Sequence, residues 1–154
     1  MAYLASKGKT MALRRDEPNK SVANGRWGED VAAAALRLKG YVIVDRNIRP
    51  CVYDRRLEID IVAYDREADA MVFVEVKQHM QKSPQQRRLR SIDKKKLRNL
   101  RRAFNAWRRK NRWNGAYRFD VIEIYGEPGC KKPEIDHIER VNIFVPAERF
   151  VRWG

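Results

Sequence analysis

The chain has 154 residues, 44% of them hydrophobic, with 34 Lys and Arg against 20 Asp and Glu for a net charge of +14. That length and apolar content suit one domain with a real core and exclude a disordered polymer. The charge points to a polyanionic partner, with nucleic acid ahead of an anionic membrane surface. Cys51 and Cys130 form neither a metal-ligand spacing nor a disulfide framework, which fits a reducing compartment. With no apolar N-terminal run and no stretch long enough to cross a bilayer, the expected location is the cytoplasm, without a membrane partner.

In chain order, residues 1–23 read as a loose basic arm without periodicity. "NGRWGEDVAAAALRLKG" predicts the first helix, with Asn24 as N-cap, Gly40 as stop, and Trp27, Val31, Ala34, Ala35 and Leu38 as its apolar face. "YVIVDRNI" predicts a strand. "LEIDIVAY" and "MVFVEVK", joined by the turn "DREADA", predict a hairpin. In the first of these, Leu57, Ile59 and Ile61 would share one face and Glu58, Asp60 and Val62 the other. In the second, Val72, Val74 and Val76 would face away from Phe73, Glu75 and Lys77.

Residues 78–90 read as a mobile basic loop. From Ser91, a cap candidate, a long helix follows, with Leu97, Leu100, Phe104 and Trp107 at spacings that build one stripe. "YRFDVIEIY" and "IDHIERVNIF" predict two more strands, and 146–154 a polar tail. The order implies one domain over 24–145, an α/β mixed sheet flanked by helices.

The hairpin carries the chemistry. If the polar faces coincide, Asp60, Glu75 and Lys77 meet at the sheet. Two carboxylates make an oxygen-rich seat that suits Mg²⁺ or Mn²⁺. A lysine beside it can orient water or stabilise charge that develops on a phosphate. A plain ion pair, Glu75–Lys77 or Asp60–Lys77, on a solvated face fits the spacing equally well. Glu29, in the first turn of the first helix, need only complement the helix dipole.

"LEIDIVAYDREADAMVFVEVK" resembles the D…E-x-K core of the restriction-endonuclease-like superfamily. The run from "NGRWGEDVAAAALRLKGYVIVDRNIR" through "SIDKKKL" and "RFDVI" to "RVNIF" is similar to the YraN family of bacterial proteins, related to archaeal Holliday-junction resolvases. The resemblance implies a nuclease-like fold, with Asp60 and Glu75 as metal ligands, Lys77 as catalytic lysine and Glu29 as the acidic residue of the first helix. Two positions depart from the pattern: Leu57 stands where the family usually has Gly, and His79 where it often has Arg. Kinship with resolvases makes a homodimer attractive, since two symmetric cuts need two sites.

Residues 82–112 hold the densest positive charge, including Arg87, Arg88, Lys94, Lys95, Lys96, Arg98, Arg101, Arg102, Arg108 and Arg109, with Asp93 the one acid among them. Such a block binds phosphates in a salt-dependent way and carries no base-reading pattern. DNA stands ahead of RNA as the partner. His79 reads as a phosphate contact, a general acid or an incidental loop residue. His137 reads as structural, and Asp120 as either a residue near the site or a turn or capping residue. Trp113, Tyr117 and Trp153 have base stacking as a second use after core packing. Two functions therefore stand: a metal-dependent endonuclease for branched DNA, and a nucleic-acid-binding protein that keeps the fold and cuts nothing.

Overall fold

A computed structural model describes residues 20–83 and 94–143 of the chain. Helix α1 (Lys20–Leu38) opens a turn before Asn24. It ends where the sequence says it should. Gly40 takes a positive φ of 91°. The Tyr41 amide then donates to Leu36 O at 3.1 Å and the Gly40 amide to Arg37 O at 3.0 Å, which closes the helix with a left-handed glycine cap.

The buried face of α1 differs from the expected one. Ala32, Ala33 and Leu36 are buried, with Trp27 and Val31 packed alongside, whereas Ala34 is exposed and Leu38 is 90% exposed. A run of four alanines carries too little apolar contrast to choose a face. At Gly28 an added Cβ would come within 3.1 Å of Gln78 Cβ, so the helix rests closely on the sheet there.

The sheet has five strands in the order β1 (Val42–Ile48), β2 (Ile59–Asp65), β3 (Ala70–His79), β4 (Ala116–Tyr125), β5 (Glu134–Ile138). All neighbours are antiparallel except β3 and β4, which run parallel. Helix α2 (Lys94–Asn111) lies between those two strands in the chain, as a parallel pair requires a crossover. This is an α/β fold, a mixed sheet flanked by two helices, consistent with a restriction-endonuclease-like domain.

Two cores result. On one face α1 packs Ala32, Ala33 and Leu36 against Ile61, Ala63, Val72, Val74, Ile122 and Ile124. On the other α2 packs the expected stripe, Leu97, Leu100, Phe104 and Trp107, against Phe73, Phe119 and Val121. Phe73 meets Phe104, Trp107 and Phe119 at centroid distances of 4.9, 5.1 and 5.6 Å. Fully burying each such ring contributes roughly 1.5–3 kcal/mol.

The alternation expected of β3 holds, with Val72 and Val74 on the α1 side and Met71 and Phe73 on the α2 side. That of β2 does not. Leu57 and Ile59 belong to the α2 core, but Ile61 belongs to the α1 core and Val62 to the α2 core. The phase changes at Asp60. Asn47, between the β1 residues that pair with Ile61 and Ile59, has a positive φ of 50°, and the Asp60 carboxylate itself accepts the Val76 amide at 2.8 Å. The last strand is also shorter than expected. β5 stops at Ile138, Arg140 turns the chain with a φ of 57°, and Val141 and Ile143 fold back into the α2 core.

Candidate metal centre and basic helix face

Glu75 lies on the α2 face of β3, two residues beyond Phe73, and is only 4% exposed. Its Oε1 receives two ammonium groups, Lys77 Nζ at 3.0 Å and Lys96 Nζ at 2.9 Å. Lys77 reaches it because residues two apart in a strand share a face. Lys96 reaches it from the first turn of α2, next to Leu97 of the buried stripe. Glu75 Oε2 is buried and has no hydrogen-bond partner among the described residues.

Asp60 stands on the neighbouring strand, partly buried, with one carboxylate oxygen on the Val76 amide. Burial, and then the charge of Glu75, push its carboxyl up to about 7; the Val76 amide and Lys96 offset only part of this. Two carboxylates that crowd each other in this way form a site short of positive charge.

Glu29 belongs to the same field. It follows Gly28 at the close approach of α1 to β3, and its charge contributes to the rise at Asp60. Burial raises the Glu29 carboxyl as well, against a hydrogen bond from Asn47 and the charge of Arg46. Arg46 is anchored on Asp30 at 2.6 Å. Glu58, whose neighbour across the loop is Arg49 at 3.7 Å, adds a fourth carboxylate felt by both Glu29 and Lys96. Sequence reasoning placed Glu58 on a polar face but gave it no role, and gave Asn47 none. The positive φ that aims Asn47 has no signature beyond the residue type.

The basic helix divides into groups with different surroundings. Lys95, Arg98, Arg102, Arg108 and Arg109 are exposed along α2, and Arg101 is half-buried. Lys96 is turned inward; burial works against its charge, but Glu75 overrides this and holds the ammonium above its ordinary value. Arg102 pairs with Asp54 at 3.3 Å, and Arg108 Nε donates to Trp113 O at 3.1 Å. Lys94 opens the helix, while Arg87, Arg88 and Ser91 lie outside the described residues. Trp113 serves the core side, whereas Tyr117 is 37% exposed. Trp113 packs against the α2 cluster, and Tyr117 lies 4.4 Å from Phe104, ring to ring.

Beyond Lys77 the same face continues with a carboxylate that the sequence did not single out. Glu123 of β4, paired in register with Lys77, is 4% exposed and accepts the Tyr125 hydroxyl at 2.9 Å. His79 Nε2 is 3.8 Å away, and the imidazole stacks on Tyr125. His79 therefore ends a strand; it does not sit in a loop.

Asp120 lies inside β4 on the α1 side, with Ile122 and Ile124. It accepts His137 Nε2 at 2.8 Å, Arg118 Nε at 3.1 Å and the Arg140 amide at 3.1 Å. Ligand atoms of Asp120, His137 and Glu139 lie within 4.8 Å of one another, a spacing that can hold an ion. Arg118, however, already supplies positive charge there, paired with Asp65 at 2.7 Å and Glu139 at 3.7 Å as well as Asp120. Burial alone would raise the Asp120 carboxyl, yet His137, Arg118 and the Arg140 amide hold it below its ordinary value. His137 is thus part of a satisfied network that ties β5 to β4.

No helix among the described residues is long and apolar enough to cross a membrane. Residues 28–124 match the family described as "Uncharacterised protein family UPF0102", a span that holds Glu29, Asp60, Glu75, Lys77 and all of α2. A UPF0102 protein of Syntrophomonas wolfei is 36% identical over 124 residues, covering 78% of this chain and 96% of its own. A UPF0102 protein of Thermotoga petrophila is 36% identical over 113 residues, 73% of this chain and 91% of its own. One from Sulfurimonas denitrificans is 33% identical over 123 residues, 80% of this chain and 99% of its own. The chain belongs to the UPF0102 family, the YraN family that its motifs resemble.

Proposed function

We propose that this protein is a divalent-metal-dependent endonuclease that hydrolyses phosphodiester bonds in structured DNA. One observation carries the reading: Glu75 is buried with an oxygen that no described residue satisfies, beside an Asp60 whose carboxyl is forced up by burial and by Glu75 itself. A buried acceptor left without a partner costs about 1–3 kcal/mol, and a cation offsets that cost. The donor set is all carboxylate oxygen, which suits Mg²⁺ or Mn²⁺.

Asp60 and Glu75 would hold the ion, which supplies Lewis-acid charge at a phosphate oxygen. Lys77 is the group that acts on the reacting atoms. Its ammonium leaves the strand beside Glu75 and can donate to the attacking water or to a non-bridging oxygen as charge accumulates. Lys96 fixes Glu75 Oε1, so that Oε2 remains for the ion. Glu29, held by Asn47, lends further negative charge to the seat. The exposed cations of α2 hold the DNA backbone. Symmetric cutting of a branched substrate calls for a homodimer.

The test is calorimetric titration of Mg²⁺ and Mn²⁺ into wild type, Asp60→Ala and Glu75→Ala, beside a cleavage assay on branched, flapped and duplex DNA. Metal binding lost in both variants supports the site; equal binding in all three removes it. A second reading, a binding protein that cuts nothing, is favoured by the pairing of Lys77 and Lys96 with Glu75 Oε1, which satisfies both ammonium groups without a metal. Cleavage of no substrate by a protein that binds several would establish it.

A further inference from the structure

The loop between β1 and β2 presents two apolar side chains directly to solvent. Val52 is 90% exposed and Tyr53 is 99% exposed. Single exposed apolar residues are ordinary on a protein surface. This pair is not ordinary, because of how its loop is held. On one side of the tip, Cys51 packs against the α2 core; on the other, Leu57 is 3% exposed within it. Between them Asp54 works as a clamp. Arg56 donates to its Oδ1 from Nε and to its Oδ2 from Nη2, both at 2.9 Å, and Arg102 of α2 lies 3.3 Å from Oδ2. The Arg56 side chain and amide, and Arg102, hold the Asp54 carboxyl down at about 2, so the clamp stays charged. The Leu57 amide closes the turn on Asp54 O at 3.2 Å. The aromatic ring is thus pushed out of a loop that is fastened at both ends and in the middle.

The surroundings state what the ring fits. Arg49, Arg55 and Arg56 flank it on the same loop, and Arg102 joins it to the basic helix face. Three residues past Leu57 the chain reaches Asp60. An apolar, planar group on a loop that carries three arginines and is tied to the basic helix matches a partner that is itself planar and apolar on its faces and anionic along its backbone. That is a nucleobase out of its stack, next to phosphates. A continuous duplex offers only phosphates and groove edges, so its bases cannot lie on the ring.

We propose that Tyr53, supported by Val52, is a stacking platform for an unpaired base at the branch of a structured nucleic acid. This rests on the nucleic-acid reading above and adds the feature by which the protein tells a branch from plain duplex. Phosphate contacts by α2 hold both substrates alike. Only the branched one gains the stack, because the clamp on Asp54 orders the loop before binding and little entropy is lost on contact.

The experiment compares the full chain with Tyr53→Ala and Tyr53→Trp, without divalent metal so that nothing is cut. The probes are a Y-shaped DNA with 2-aminopurine at the branch and a fully paired duplex of the same length. The Tyr53 side chain stands in solvent, so both variants should fold. Stacking predicts that Tyr53→Ala binds the branched probe roughly 5- to 100-fold more weakly while its duplex affinity is unchanged. Wild type and Tyr53→Trp should alter 2-aminopurine fluorescence at the branch, and Tyr53→Ala should not. Equal affinity of wild type and Tyr53→Ala for the branched probe overturns the platform and leaves the nuclease reading standing. Failure of wild type to bind either DNA overturns both. Tyr53-dependent binding to vesicles of anionic lipid, with none to the branched DNA, also overturns the platform and reassigns the loop to a membrane surface.

Discussion

Lys96 Nζ lies 2.9 Å from Glu75 Oε1, so a residue of the basic helix closes onto the buried acid of the central strand. The contact joins the two halves of the proposed site. The helix that would hold the phosphate backbone also fixes the carboxylate that would hold the metal. We predict that Lys96→Met destabilises the metal-free fold by about 1–2 kcal/mol, the scale of one charge-assisted hydrogen bond with Lys77 still in place. It should weaken Mg²⁺ binding near neutral pH as well, because Lys96 offsets part of the rise at Asp60 and its loss favours the proton that the ion must displace. Denaturant unfolding and calorimetry on the same preparation read the two effects. An unchanged metal affinity would reduce Lys96 to a purely structural pair.

Asp60 sets the pH dependence. Its carboxyl moves from an ordinary value of 3.8 to about 7 in the fold, with burial as the main cause and Glu75 the next. The folded value lies above the unfolded one, so the native state favours the protonated form. That stability is fully present below pH 3.8 and is lost as pH rises through about 7. Asp60→Asn, which can still accept the Val76 amide, should therefore be more stable than wild type at pH 8, on the order of 2 kcal/mol, and no more stable at pH 4. Mg²⁺ competes with the same proton, so its affinity should strengthen over that window. Urea unfolding of both proteins across pH 4–8, without metal, checks the sign; a wild type that gains on Asp60→Asn as pH rises would contradict it.

The exposed cations of α2 should carry the affinity for nucleic acid. Arg98 and Arg109 are exposed, Arg101 is half-buried, and no ion pair to an acid is seen for these three among the described residues, unlike Arg102 with Asp54. Replacing Arg98, Arg101 and Arg109 by Glu should weaken DNA binding at least tenfold at low salt. It should also flatten the slope of log affinity against log salt, by roughly 0.9 for each phosphate that these arginines neutralise. Filter binding at several salt concentrations measures both. An unchanged slope would move the electrostatic footprint to another surface.

Close approach at Gly28 should matter out of proportion to its size. A Cβ there would meet Gln78 Cβ at 3.1 Å, and Glu29 is the next residue. Gly28→Ala should be tolerated, since a few tenths of an ångström of adjustment suffice. Gly28→Val should lift this turn of α1 from the sheet and cost about 1–3 kcal/mol, the range for overpacking. Thermal unfolding of the two variants decides it: a Val variant as stable as wild type would mean the helix does not depend on the contact.

Much of the fold was legible in the sequence because particular residues announce their geometry. Leu97, Leu100, Phe104 and Trp107 are large enough to define a stripe, and all four are buried. Glu75 and Lys77 share a face because a strand allows nothing else, and Gly40 marks a helix end that its positive φ confirms. Legibility failed where the signal was small or not local. The alanine run of α1 could not announce its buried side. Ile61 lies on the opposite face from Ile59, and Asn47 with its positive φ stands between their β1 partners, which no period reveals. In the sequence Lys96 stands in the helix start "SIDKKKL" and is one of fourteen basic residues between 82 and 112; only the packing of α2 turns it inward onto Glu75. Glu123 and Tyr53 were passed over for opposite reasons: the burial of the first and the full exposure of the second are properties of the fold alone.

Lys77 should act on the reaction and not on binding. Its ammonium lies beside Glu75 on the same face of β3, in a surface with many other cations. Ground-state affinity should hardly register its loss, whereas charge that gathers on the phosphate in the transition state should. The decisive measurement is paired, single-turnover cleavage and equilibrium binding of one branched DNA with divalent metal, for wild type and Lys77→Ala. The rate should fall by about 10²- to 10⁴-fold with affinity nearly intact. A Lys77→Ala protein that cuts as fast as wild type would contradict this.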